Sequence, residues 1–73
     1  MALNVVTVTL NGRQHEVPAG TSLTELALDL GANPELRGIA IAVDAEVVPK
    51  SCWIQTPVLD GMQIEILTAT QGG

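Results

Sequence analysis

The sequence predicts a small α+β domain in which one helix covers one face of a mixed β-sheet. Short segments rich in Val and Ile are separated by turn dipeptides, and one segment has helical periodicity. The length of 73 residues leaves room for one core. By surface scaling, a chain of this size buries about 60% of its unfolded surface. We therefore assign residues 1–73 to a single domain with four to five strands and one main helix.

The first two strands are predicted to form a β-hairpin. Residues 3–10 are rich in Val and Thr, and the apolar side chains at even-numbered positions share one face. Asn11-Gly12 follows, which is typical of a type I′ turn because both turn positions require a positive φ. The returning strand is expected over residues 13–17.

One helix is predicted over residues 23–30. Ser22 and Glu25 match the two ends of a capping box, and Gly31 matches the residue that follows a helix C-cap. Apolar residues recur at i, i+3, i+4 and i+7, which is typical of a helix that packs on a sheet. This face comprises Leu23, Leu26, Ala27 and Leu30.

The second half of the chain is predicted to complete the sheet. Residues 39–43 are a β-branched run expected to form a buried strand, and residues 46–48 form a short strand after a turn at Asp44-Ala45. Residues 63–68 alternate in polarity and form the last strand after a turn at Asp60-Gly61. The order ββαββ(β) indicates a β-grasp, or ubiquitin-like, fold with the first and last strands parallel and central.

Charge and hydropathy exclude several classes of function. Three basic residues and eight acidic ones give a net charge of −5. Binding to nucleic acid or to an anionic membrane surface requires clusters of Lys and Arg, so we expect neither. The sequence contains no apolar run near the ~20 residues of a membrane span and no signal peptide pattern, so we expect a cytoplasmic protein. The acidic charge favours docking on basic surfaces of partners.

Few side chains offer chemistry of their own. One Cys and one His are too few for a disulfide or for a zinc site of the usual kind, and no catalytic motif is present. We interpret His15 as an exposed strand residue, Cys52 as a small buried hydrophobe and Trp53 as a plug of the aliphatic core. The alternatives are a reactive thiol for Cys52 and an interface anchor for Trp53. We therefore expect a chain that is not an enzyme and binds no cofactor or metal.

The C-terminus is the feature that most favours a chemical role. The sequence ends in Gly72-Gly73, and residues 69–73 are predicted to be a flexible tail. The two glycines at its end have no Cβ atoms, so they can enter a narrow channel of another protein. The carboxylate of the tail can be adenylated, after which a sulfur nucleophile gives a thiocarboxylate and an amine gives an amide. The alternative is a frayed end without function.

Several segments resemble one known family. Residues 41–53 contain Val-Val-Pro-Lys followed by Trp, residues 56–68 contain Asp-Gly and Ile-Glu-Ile, and residues 71–73 are Gln-Gly-Gly. With the Leu-Asn-Gly of the hairpin and the first turns of the helix, the chain resembles the thiamine-biosynthesis sulfur carrier proteins (ThiS) of the ubiquitin-like ThiS/MoaD superfamily. The chain departs from the residues usual in that family at Asp44, Met62 and Thr70.

The resemblance implies a reaction sequence carried out by partners. An E1-like adenylyltransferase of the ThiF type uses ATP and Mg²⁺ to adenylate the carboxylate of Gly73. A cysteine desulfurase, or another sulfur donor, then supplies sulfur to form the thiocarboxylate. A thiazole synthase of the ThiG type takes this sulfur into the thiazole ring of thiamine. Gly73 is the implied modified residue, and Gly72 and Gln71 are the tail that presents it.

Other functions remain open at this point. The chain is also compatible with a sulfur carrier for another pathway, such as the small subunit of molybdopterin synthase or a carrier for cysteine or another sulfur metabolite. A ubiquitin-like protein modifier and a binding domain with an inert tail are further alternatives. In each carrier hypothesis, partners need an exposed apolar surface. We expect it on the sheet face opposite the helix, at Val5, Leu67 and Ala69.

Overall fold

A computed structural model describes residues 4–68 and shows a mixed β-sheet with one α-helix packed on it. In chain order the elements are β1 (Val5–Leu10), β2 (Arg13–Pro18), α1 (Leu23–Asp29), β3 (Ile39–Val43), β4 (Glu46–Val48), a 3₁₀ helix (Lys50–Gln55) and β5 (Gln63–Thr68). The strand order within these residues is β2-β1-β5-β3-β4. β1 and β5 are parallel, and the other pairs are antiparallel. The predicted β-grasp fold is confirmed, with the first and last strands adjacent at its centre.

The start of α1 is fixed by the capping box that the sequence predicts. The Ser22 hydroxyl accepts a hydrogen bond from the backbone N–H of Glu25 at 3.1 Å. In return, the Glu25 carboxylate accepts one from the backbone N–H of Ser22 at 2.9 Å. The two bonds satisfy donors that have no partner within the first turn of a helix.

The end of α1 corrects one residue of the predicted apolar face. Gly31 adopts a φ of 95°, and its N–H donates to the carbonyl of Leu28. The N–H of Ala32 donates to the carbonyl of Ala27, which completes a Schellman motif. This motif makes Leu30 the C-cap, and its side chain is 46% exposed. The expectation that Leu30 packs on the sheet was therefore wrong.

Two hairpin turns use residues with positive φ; the sequence predicts this conformation for Asn11-Gly12, whereas for Asp44-Ala45 it predicts a turn without specifying φ. Asn11 and Gly12 have φ values of 49° and 85°, and Asp44 and Ala45 have values of 50° and 71°. Such a pair of left-handed residues matches the twist of the flanking strands. The turns therefore fix the register of both hairpins.

The core lies between α1 and one face of the sheet. It consists of Val8, Leu10, Val17, Leu23, Leu26, Ala27, Ile41, Trp53, Val58 and Ile64. The Trp53 ring is 1% exposed, and its Nε1 donates to the carbonyl of Val48 at 2.8 Å. The interpretation of Trp53 as a plug of the aliphatic core is thus confirmed, and its polar edge is satisfied.

The expectation of a buried strand at residues 39–43 holds for one face of β3 only. Ile41 is completely buried, whereas Ala40 beside it is exposed. Since α1 covers one side of the sheet, alternate residues of each strand turn toward the opposite side. The side of the sheet away from α1 is therefore an open surface in the part of the chain that the structure describes.

Candidate functional site

The predicted tail is approached through β5, the strand that leads to it. Four of the predicted site residues, Ala69, Gln71, Gly72 and Gly73, lie outside the described residues, so their assigned roles stay predictions. β5 ends at Thr68 and pairs with β1 on one side and β3 on the other. The chain therefore reaches its C-terminal segment from a strand that is supported on both sides.

The side chain of Asn11 holds β5 beyond the point where β1 ends. The Ile66 N–H donates to Asn11 Oδ1 at 2.9 Å, and Asn11 Nδ2 donates to the Ile66 carbonyl at 3.2 Å. The Asn11 N–H also donates to the carbonyl of Ile64 at 2.9 Å. The side-chain amide thus takes the place of a backbone peptide, and the β1–β5 pairing continues past the turn of the first hairpin.

Two aspartates extend the pairing of β5 and of the segment before it. Asp44 Oδ1 accepts from the Gln63 N–H at 3.0 Å, and the Asp44 N–H donates to the Gln63 carbonyl at 2.7 Å. Asp60 Oδ1 accepts from the Thr7 N–H at 2.8 Å, while the Gly61 N–H donates to the Thr7 carbonyl at 2.8 Å. The bond from Asp44 needs one oxygen acceptor, which Asp and Asn both provide. The departure at Asp44 from the family's usual residue therefore preserves this contact.

An apolar patch lies on the open face of the sheet. Leu67 is 63% exposed and pairs with Ala40, and Val47 is 75% exposed and pairs with Ala42. We call these four residues the outer patch. Contiguous apolar side chains on the surface mark interaction sites more often than isolated ones do. The sequence led us to propose Leu67 for this surface, but Ala40 and Ala42 were missed because β3 was interpreted as a buried strand. Val47 on β4 was missed because three residues are too few to show which side of a strand is exposed.

Val5 and Leu67 do not lie in one patch. Val5 is 50% exposed, and both residues lie on the open face. In the parallel pairing of β1 and β5, however, Thr9 lies beside Gln63. Val5 is four residues before that level and Leu67 four residues after it, so at a rise of about 3.3 Å per residue they are roughly 26 Å apart. A docking role for either residue stays a prediction, and the two belong to opposite ends of the sheet.

A groove of about 490 Å³ lies where β3 begins and β5 ends. Its apolar lining includes Leu36, Ile39 and Leu67, and two cationic residues, Arg37 and Lys50, also line it. The sequence did not indicate that Arg37 and Lys50 line the same groove. The only signal was the basic residue after Pro49 in the segment that resembles ThiS.

The two remaining candidate residues, His15 and Cys52, are partly buried in the folded domain. His15 is half-buried rather than exposed, because it pairs with the buried Val8 and so faces the inner side of the sheet. Cys52 is half-buried and free, and its backbone lies in the 3₁₀ helix. Within residues 4–68, no group of three or more His, Cys, Asp or Glu side chains is placed to hold a metal ion. None of the helices in those residues has the length and apolarity to cross a membrane.

The fold and the site define a ubiquitin-like β-grasp domain that carries its C-terminal segment on the central strand. The family model of ThiS matches residues 4–73, and the chain belongs to the ThiS family. The match includes the Gly72-Gly73 segment on which the resemblance rested.

Solved structures with the same fold include a thiamine biosynthesis protein (ThiS) from Geobacter metallireducens. Its crystal structure is 28% identical with a TM-score of 0.75, and the alignment covers 93% of this chain and 100% of that one. A solution structure of a thiamine biosynthesis protein from the same organism is 26% identical with a TM-score of 0.75, and covers 93% and 88% of the two chains.

Curated relatives of a different kind also match. The threonine–tRNA ligases of Citrifermentans bemidjiense and of Geobacter sp. strain M21 are each 37% identical to this chain over 67 residues. The alignment covers 90% of this chain but 10% of each ligase, so the chain spans about a tenth of the length of these relatives.

Proposed function

We propose that this chain is a sulfur carrier protein that donates sulfur for the thiazole ring of thiamine. The ThiS family match over residues 4–73 supports this proposal. The structural observation that carries it is the placement of β5, which is central, pairs with β3 from Ile64 to Thr68 and is held on its other side by β1 and Asn11 as far as Ile66. In a domain built in this way, the strand that leads to Gln71-Gly72-Gly73 is held in the sheet by its neighbours.

The proposed chemistry takes place at the carboxylate of Gly73. One carboxylate oxygen attacks the α-phosphate of ATP, pyrophosphate leaves, and an acyl-adenylate forms. A persulfide sulfur then displaces AMP, and reductive cleavage of the resulting acyl disulfide by a thiol leaves the thiocarboxylate. The two glycines before this carboxylate carry no Cβ, which favours entry into a narrow active site.

The proposal assigns all catalysis to partners. An E1-like adenylyltransferase of the ThiF type would use ATP and Mg²⁺, a cysteine desulfurase or another donor would supply sulfur, and a thiazole synthase of the ThiG type would accept it. The chain acts as their shared co-substrate in the cytoplasm. The outer patch supplies an apolar surface that such partners can recognise in turn.

The decisive experiment is an intact-mass measurement. The chain is incubated with its adenylyltransferase, ATP, Mg²⁺ and a sulfur donor, and we expect the mass to change by the replacement of one oxygen by sulfur. A variant that lacks Gly73 is the matched control, and we expect it to fold normally and to stay unmodified. An unmodified wild-type chain with an adenylyltransferase that is active on another carrier would overturn the proposal.

The similarity to threonine–tRNA ligases favours a second candidate. In those relatives a segment like this one is a small part of a much longer chain. The alternative function is therefore a β-grasp binding domain whose C-terminal segment is chemically inert. The net charge of −5 disfavours direct contact with RNA phosphates, so such a domain would bind protein. The same mass experiment separates the candidates, since an inert segment acquires no sulfur.

A further inference from the structure

The groove where β3 begins and β5 ends is positively charged on an acidic protein. Arg37 and Lys50 line it, and they are two of the three basic residues of a chain whose net charge is −5. The third, Arg13, lies on β2, which β1 separates from β5. A partner that approaches the protein along this groove therefore meets a local charge opposite to that of the whole molecule.

The cationic side of the groove is held in place by hydrogen bonds. Asn33 Oδ1 accepts from the backbone N–H of Arg37 at 2.9 Å, and Asn33 Nδ2 donates to the Arg37 carbonyl at 3.1 Å. Lys50 Nζ donates to the carbonyl of Glu35 at 2.8 Å, which ties the two basic segments together. Leu36 between them packs against the core. A ligand would therefore gain contacts here without having to order the backbone.

The floor of the groove is apolar and continuous with the outer patch. Ala40 and Leu67 belong to both surfaces. Leu67 also immediately precedes Thr68, the last described residue before the proposed reactive tail. An apolar side chain of a partner can cover Leu67. A carboxylate next to it in the partner can then bind the guanidinium group of Arg37 or the ammonium group of Lys50, which line the same groove.

We infer that this groove receives a segment of the adenylating partner in which an acidic side chain stands next to an apolar one. The inference rests on the proposed function for the identity of that partner. It reverses, for this one surface, the expectation from net charge that partners dock through basic residues. Binding at this position holds the domain beside the point from which the tail extends toward the nucleotide.

Charge reversal tests the inference with a matched control. Arg37→Glu and Lys50→Glu each lower the net charge by two units, and so does Arg13→Glu on β2. We would measure Kd for the ThiF-type adenylyltransferase by calorimetry. At low salt we expect each groove variant to bind at least about tenfold more weakly and Arg13→Glu to change Kd less than about twofold. Near 0.5 M salt the loss of binding in the groove variants should shrink, because the Debye length is then about as short as the distance between two exposed charges in contact.

Two further variants and one activity measurement make the outcomes distinct. Arg37→Gln and Lys50→Gln should weaken binding less than the reversals, and far-UV circular dichroism should match the wild type in every case, since both side chains are exposed. An unchanged Kd in the groove variants, an equal loss in Arg13→Glu, or a wild-type chain that does not bind would each overturn the inference. A chain that binds with the expected pattern but is not adenylated with ATP would overturn the proposed function alone.

Discussion

Asn11 and Ile66 are 55 positions apart in the chain and are joined by two hydrogen bonds between the side-chain amide of one and the backbone of the other. The contact links the turn of the first hairpin to the last strand. It supports β5 at a level where β1 has already turned away. Asn11 therefore serves both the turn, through its positive φ, and the strand that leads to the proposed reactive end.

Replacement of Asn11 should destabilise the fold in graded steps. Asn11→Asp keeps the acceptor for the Ile66 N–H and tolerates the left-handed backbone, so we expect a loss of about 1 kcal/mol for the missing donor. Asn11→Ala loses both bonds and strains the turn, so we expect a loss of at least about 2 kcal/mol. Urea unfolding followed by far-UV circular dichroism measures both. Equal stability of Asn11→Ala and the wild type would show that the contact contributes nothing.

Truncation of Trp53 should remove much of the stability of the domain. A chain of 73 residues is expected to be stable by about 4–11 kcal/mol. Trp53→Ala removes the largest fully buried side chain of the core and should cost about 3–5 kcal/mol. Ile54→Ala is the neighbouring control, since Ile54 is 66% exposed, and it should change stability by less than about 0.5 kcal/mol. Thermal unfolding followed by circular dichroism would reveal the difference, and similar melting curves would contradict the assigned role of Trp53.

The capping box of α1 should matter more at Ser22 than at Glu25. Ser22→Ala removes the acceptor for the Glu25 N–H and should cost about 1 kcal/mol. Glu25→Gln keeps an oxygen that accepts from the Ser22 N–H, so we expect almost no change. Urea titration of the two variants beside the wild type measures the difference. A larger loss for Glu25→Gln would mean that the charge at the helix N-terminus, rather than the hydrogen bond, stabilises α1.

The outer patch and Val5 should respond differently to polar substitution. Leu67→Thr and Val5→Thr both place a β-forming polar residue on the open face, so each should change stability by less than about 1 kcal/mol. We expect Leu67→Thr to weaken binding of the adenylating partner about fivefold or more, as truncation of an interface anchor does. Val5→Thr should leave Kd unchanged, because Val5 lies at the far end of the sheet. The opposite result would move the docking surface to the start of β1.

The local signals in the sequence were sufficient for the architecture. Asn11-Gly12 identifies the first hairpin because few residue pairs accept positive φ at both positions. Asp44-Ala45 indicates only a turn between two apolar runs, and the positive φ of Ala45 is not predictable from its residue type. Ser22 and Glu25 identify the start of the helix, and Gly31 its end. These signals depend on neighbours in the chain, which is why they can be interpreted without a structure. Leu30 was misplaced because periodicity alone does not show where a Schellman motif turns the chain away.

The surface of the candidate site depends on distant pairings and was less predictable. The stagger of β1 against β5 separates Val5 from Leu67, and no local pattern specifies a parallel register. Arg37 and Lys50 converge because the loop before β3 is tied to the 3₁₀ helix through the carbonyl of Glu35. The exposure of Ala40 follows from the absence of a second covering layer among residues 4–68. Gly73 was identified by chemistry and family resemblance, and its role stays a prediction.

The adjacency of β1 and β5 has a consequence for biosynthesis. Thr9 pairs with Gln63, so the middle of the sheet cannot form until the last strand has left the ribosome. Contacts between such distant parts of a chain form late and slow the folding of small domains. A nascent or prematurely terminated chain would thus display neither a finished sheet face nor the segment that follows β5. Enzymes that recognise the folded face would then bind a chain only after β5 has been synthesised and has paired with β1.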